Sequence, residues 1–178
     1  MVYEKMFLEI LKKEMVPALG CTDPIGVAYA AACAKKYATG EIVSITGFIS
    51  VNVIKNASAV CMPKTGGKFG VGLALALGAI GGNAEKGLEV LSDVTEEDVV
   101  KAEELMSRGV VQVNVSENQK KLYIQVVLQT DQDEIIMTIE DNYTRITSIT
   151  VNGEKSDVSR LEEEQNQDEE AGGNRIIL

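Results

Sequence analysis

The apolar residues of this chain change period partway along, and that change restricts the fold more than any other feature. From Val111 onward they alternate: Val111, Val113 and Val115; Leu122, Ile124, Val126 and Leu128; Ile135, Met137 and Ile139; Ile149 and Val151. A period of two belongs to strands with one packed face and one wet face. Turn-forming residues separate the runs, at Glu117-Asn118, Asp131-Gln132-Asp133, Asp141-Asn142 and Asn152-Gly153. Short polar turns between alternating runs predict an antiparallel meander.

The preceding half reads mainly as helix. In residues 3–15 the apolar positions Tyr3, Met6, Phe7, Ile10, Leu11 and Met15 fall on one helical face, which Pro17 and Gly20 then end. Residues 24–36 are Ala-rich and apolar on most sides, which predicts a buried helix with Gly40 as its C-cap. The alternation Val43, Ile45, Gly47, Ile49, Val51, Val53 predicts one early strand, with Gly47 as a candidate bulge. Residues 61–70, CMPKTGGKFG, read as a loop. Residues 70–82 form a helix of small residues that can either admit another backbone or line a pocket. A short helix follows at 84–91. Thr95 and Asp98 then make a capping-box pattern for a helix that Gly109 ends. Helices first and hairpins after indicate an α+β layer fold occupying residues 1–153. Residues 154–178 carry eight acidic and three basic residues and read as an acidic linker or disordered tail.

Charge and composition exclude several functions. The 178 residues suit one domain, and a net charge of −10 argues against nucleic acid or an anionic membrane surface as partner. No apolar run approaches the roughly 18 residues that span a bilayer, and lysines and glutamates near the start do not fit a signal peptide. The cytoplasm is the expected compartment. The chain contains no histidine, so Ser-His-Asp triads, Cys-His pairs and HExxH zinc sites cannot form within it. Its three cysteines, Cys21, Cys33 and Cys61, read as thiols or metal ligands rather than a disulfide framework.

Two segments carry candidate chemistry. In Pro17–Ala–Leu–Gly–Cys–Thr–Asp–Pro24, Cys21 sits in a tight loop directly before a helix, where the dipole and free N–H groups favour a thiolate. A thiolate binds a soft metal or an iron–sulfur cluster. The alternative is a small loop residue, with Thr22 or Asp23 as a simple N-cap. The second segment joins Asn52, Lys55 and Asn56 to the 61–70 loop with Pro63, Lys64, Thr65, Gly66 and Lys68. Its amides, lysines and loop N–H groups suit a carboxylate or phosphate, or simply form a solvated loop. It is no Walker loop, because Phe69 follows Gly67-Lys68, and Leu75 breaks the dinucleotide fingerprint. Cys33, in mid-helix, reads as a buried structural thiol. The spacing of the three cysteines matches no standard metal motif.

PALGCTDP, then NxxKN, PxTG, LALGAIGG and GLEVLxDVT follow in an order that resembles the N-terminal half of the L-cysteine desulfidase family, related to the alpha chain of iron–sulfur-dependent L-serine dehydratase. The resemblance covers residues 14–153. It implies a [4Fe–4S] lyase that removes sulfide from cysteine, or water from serine, to give pyruvate and ammonia. Within it Cys21 matches a cluster ligand, and Lys55 and Asn52 take catalytic positions. Asn56, Pro63, Lys64, Thr65 and Gly66 fall on the substrate side. The match stops at that family's first half, and Tyr143 stands where the family has histidine. The implied partners are therefore a small amino-acid substrate and a missing C-terminal half or partner subunit, with the chain inactive alone. The alternative is a cluster-free module binding an amino acid or carboxylate. The apolar 70–82 helix adds an expectation of self-association.

Overall fold

The computed structural model describes Met6 and residues 18–157. The expected helix over 3–15 and most of the acidic tail lie outside the described residues, apart from Met6, which is helical. The described elements are α1 (Thr22–Lys36), β1 (Ile42–Ile49), α2 (Val51–Ala57), α3 (Val71–Gly81), a 3-10 turn (Ala84–Glu89), α4 (Glu96–Ser107) and strands β2 (Val111–Val115), β3 (Tyr123–Thr130), β4 (Glu134–Glu140), β5 (Ile146–Val151) and β6 (Glu154–Lys155). The fold is α+β, as the change of period predicts.

The six strands form one sheet in the order β2-β1-β3-β4-β5-β6. β3 to β6 make the expected antiparallel meander. β1 pairs antiparallel with β3 on one side and parallel with β2 on the other. The Glu117-Asn118 turn therefore closes no hairpin, because β1 lies between the two strands it joins. Parallel neighbours need a crossover, and α2, α3 and α4 lie between β1 and β2 in the chain.

One face of the sheet packs on helices. Ile45, Ile49, Ile124, Val126, Leu128, Ile135, Met137 and Ile139 are all fully buried, and they come from alternating positions. α1 and α3 pack against each other and against this face, and α4 packs on α3. α1 is buried from Pro24 through Ala34, because alanines and one glycine let it lie in the centre. α3 is buried from Val71 to Ala79 apart from a half-buried Gly72. Its small residues admit a neighbouring backbone. A Cβ on Gly78 would sit 2.1 Å from the Ala28 carbonyl oxygen. The helix that the sequence offers as a self-association surface is thus largely inside this fold.

Three local expectations change. The strand ends at Ile49, and Val51 and Val53 belong to α2. Ser50 causes the break: its hydroxyl donates to the Lys121 carbonyl (2.9 Å) and accepts the Tyr123 N–H (3.3 Å), which pins the chain where it turns. Gly47 is no bulge, since pairing runs unbroken through it; the irregularity lies between Ile42 and Ser44. Gly47 instead makes room, because a Cβ there would lie 2.9 Å from Leu75 Cδ1. Tyr37, not Gly40, caps α1. Gly40 has φ +79° in the following turn, against Asp131. The Thr95–Asp98 capping box forms as expected.

Asp133 ties three connections together at one end of the sheet. It accepts from the Thr39 N–H (2.8 Å), the Thr39 hydroxyl (2.6 Å) and the Asn152 amide (2.9 Å). The Thr39 hydroxyl, followed by the Asn152 amide and the Thr39 N–H, holds its carboxyl down at about 2. A carboxyl depressed on folding adds stability above its unfolded value, and that stability is lost as pH falls toward the folded value. The window therefore runs from about pH 4 to about pH 2. Asp133→Asn should be less stable at pH 7 than the parent, with the difference narrowing across that window. Urea titrations at pH 7, 4, 3 and 2 check this, and parallel curves at all four would refute it.

Candidate functional site

Cys21 is the N-cap of α1, in extended conformation, and makes no side-chain cap. Its thiol instead donates to Asp23 Oδ2 at 3.8 Å. Asp23 is the only acidic residue in the first turn of α1, where the helix dipole favours a carboxylate. Two further donors reach it from distant sequence. Asn56 Nδ2 of α2 donates to Oδ2 at 3.4 Å, and the Tyr143 hydroxyl donates to Oδ1. A half-buried carboxylate thus gathers groups from the start of α1, from α2 and from the β4–β5 turn.

Tyr143 is held in place from both sides. Its turn begins at Asp141, with φ +66°, and closes through the Arg145 N–H to the Asn142 carbonyl at 3.1 Å. Its ring packs against α1, where a Cβ on Gly26 would stand 2.2 Å from Tyr143 Cδ1. Gly26 is the seat for this ring. Burial, then the bond to Asp23, raises the Tyr143 phenol above its usual range, so the hydroxyl stays protonated and donating at neutral pH.

The 61–70 loop approaches the same corner. A Cβ on Gly20 would lie 3.4 Å from Pro63 Cδ, so Pro63 borders the Cys21 loop. A bridge between Cys61 and Phe69 and a bond from the Met62 N–H to the Lys68 carbonyl (2.9 Å) close the loop. Thr65 is buried, and its hydroxyl is engaged inside the loop by the Met62 and Lys68 carbonyls and the Lys68 N–H. Lys64 (φ +65°), Gly66 (+68°) and Gly67 (+90°) shape an exposed tip. Asn52, Lys55 and Asn56 are exposed on α2, and of the three Asn56 bonds to Asp23.

The structure thus draws Cys21, Asn56 and Pro63 toward one corner, while Thr65 serves its own loop. Sequence reasoning passed over Asp23 and Tyr143 as working residues. An acid in the first turn of a helix reads as a cap, and a tyrosine 120 positions away has no sequence link to it. The one available signal is an aromatic residue inside a polar turn, Asn-Tyr-Thr-Arg.

The described residues supply no complete ligand set for the cluster that the resemblance implies. Cys33 is buried in the core of α1, about 18 Å along the helix from Cys21 at the helical rise. Burial pushes its thiol up to about 12, which keeps it protonated. Cys61 is exposed at the base of its loop. Among the described residues no three Cys, Asp or Glu side chains converge as a metal site. No helix among them is long and apolar enough to cross a membrane.

Comparison with known proteins changes the family assignment. A UPF0597 protein of Clostridium perfringens strain SM101 is 40 % identical over 168 residues, covering 91 % of this chain and 39 % of its own length. A UPF0597 protein of Photobacterium profundum is 41 % identical over 147 residues, 83 % of this chain and 34 % of its own. One from Clostridium botulinum strain Loch Maree is 39 % identical over 149 residues, with 84 % and 34 % covered. The chain therefore spans somewhat more than a third of the length of these relatives. No family model matches, and no solved structure does. The names of these relatives state neither a desulfidase nor a dehydratase. The similarity is to UPF0597 proteins, and this corrects the cysteine desulfidase and serine dehydratase assignment. The lyase activity and the [4Fe–4S] cluster rested on that assignment alone and are withdrawn with it.

Proposed function

We propose that the Asp23 corner forms one wall of a site for a small zwitterion, such as an amino acid, within a longer protein. The observation that carries this reading is the Asp23 carboxylate, half-buried and oriented by three donors from separate segments. A carboxylate fixed in this way is pre-organised for an ammonium group, because the cost of ordering it is met by the fold and not by the ligand. Lys55, Lys64 and the N–H groups of the 61–70 tip supply positive charge for the opposite, anionic end. Cys21 adds a polarisable thiol beside the ligand. A cytoplasmic setting suits the three free cysteines.

Calorimetry tests the reading with alanine, serine and cysteine, set against ethylamine and propionate, which carry only one charge each. The expected result is a Kd of about 1 mM for the zwitterions, as suits a half-formed site, and much weaker binding of either single-charge compound. Asp23→Asn should abolish the heat while keeping the melting temperature within about 3 °C, since it retains shape and one acceptor. The same titration on the intact Clostridium perfringens relative tests the site in a protein that extends beyond the matched residues. No zwitterion heat from either protein, or binding that Asp23→Asn leaves unchanged, overturns the reading.

A further inference from the structure

β2 lies at one end of the sheet and pairs only with β1 among the described strands. The opposite edge is blunted by its length, since β6 has two residues. β2 has no such protection. Its sequence, Val-Gln-Val-Asn-Val, contains no charge and no proline, and it is exposed from Gln112 to Val115. Natural sheets blunt such edges with lysine, proline or bulges, because an open one is a template for another strand. Its outward groups can be assigned. The Val110 carbonyl and the Ser116 N–H bond to β1, and a parallel ladder alternates. The N–H groups of Val111, Val113 and Val115 therefore face the open side.

An apolar groove runs on from this edge. Phe69 is 63 % exposed, Val115 58 %, Met106 41 % and Val113 38 %. They belong to one surface. Gly72 on α3 stands between them, with its Cβ position 3.4 Å from Met106 Cε and 4.0 Å from Val113 Cγ2. Beside it Phe69, Leu73 and Met106, with the Lys68–Glu103 ion pair, line an open hollow of about 360 Å³. Open backbone donors next to an apolar hollow are the two elements of strand addition: the edge supplies hydrogen bonds, and the hollow takes a side chain.

We propose that this surface receives an extended segment from the portion of the longer protein that lies beyond the matched residues, adding a strand to β2 and an apolar side chain to the Phe69–Met106 hollow. The relatives commit the proposal to this occupant. Each is more than twice the length that this chain matches, and 83 to 91 % of the chain aligns to them, so the relatives carry enough chain beyond the match to supply a strand to an open edge. It goes beyond the zwitterion reading and does not depend on it.

Amide hydrogen exchange tests it, on this chain and on the intact Clostridium perfringens relative, with sedimentation of each. The expected result is fast exchange at the outward amides Val111, Val113 and Val115 in a monomeric chain. The aligned amides of the relative should exchange at least about 100-fold more slowly, as for paired strands. Val115→Lys in this chain should shift the melting temperature by no more than about 2 °C, being exposed; the aligned substitution in the relative should return the edge amides to fast exchange. Fast exchange at this edge in the intact relative overturns the proposal. So does slow exchange in this chain that accompanies a dimer and is lost in Val115→Lys, because the occupant is then a second copy.

Discussion

Replacing Gly78 with alanine should lower stability by about 3 kcal/mol, the upper end of what overpacking costs, although the same change in an open helix stabilises by about 1 kcal/mol. The sign reverses because of what the new methyl meets. At Gly78 a Cβ would lie 2.1 Å from the Ala28 carbonyl oxygen and 2.8 Å from its Cα. These are backbone atoms of α1, so no rotamer change relieves the clash, and the two central helices must separate. A melting temperature lower by about 6–12 °C is the expected readout for a domain of this size. Gly72→Ala in the same helix is the internal control. Its Cβ would find neighbours at 3.4 to 4.0 Å, which is ordinary contact, so that variant should be neutral or slightly more stable. Equal losses at the two positions would remove the close approach of α1 and α3 as the reason for the small residues of α3.

Leu75→Ala should cost a similar amount, about 3 kcal/mol, through the cavity it leaves at the helix–sheet boundary. Leu75 is fully buried, and its Cδ1 occupies the space that Gly47 leaves on β1. The two positions are therefore coupled. Gly47→Ala alone places a Cβ 2.9 Å from Leu75 Cδ1 and 3.0 Å from Ile49 Cδ1, both ends of flexible side chains. That should cost about 1–2 kcal/mol. In the Leu75→Ala background the new methyl enters the cavity, and the double variant should be more stable than the sum of the two losses by about 1 kcal/mol. Urea unfolding of the four proteins gives this term directly. Strict additivity would mean that Gly47 is glycine for some reason other than Leu75.

The candidate site divides along the same line. Cys21 and Asn56 are legible in the sequence, because a cysteine before a helix and an amide-rich turn of helix are local patterns. Thr65 is legible as a loop residue, yet its hydroxyl is needed to hold the loop closed. The link between Asp23 and Tyr143 was beyond reach. Asp23 reads as an ordinary first-turn acid and Tyr143 as an aromatic residue in a polar turn, and their bond joins the start of α1 to the β4–β5 turn. Gly26 reads as a dilution of an alanine-rich helix until the Tyr143 ring is found lying on it.

What the amino-acid order determined by itself was whatever depends on residues a few positions apart. The change of apolar period set the α+β class and the strands from β2 to β5. Asn152-Gly153 set a tight turn, both residues taking positive φ, and Thr95 with Asp98 set the start of α4. Tertiary structure decided which strand lies beside which, and where β1 ends. The period of β2 says that it is a strand but not that it runs parallel to β1. That pairing is fixed by α2, α3 and α4 crossing over the sheet and by apolar area that only the assembled layers bury. Local rules carry no information about such contacts, because their energy appears only after the chain has closed long loops. The Asp23–Tyr143 pair and the open edge of β2 arise at that level, and so do both functional readings.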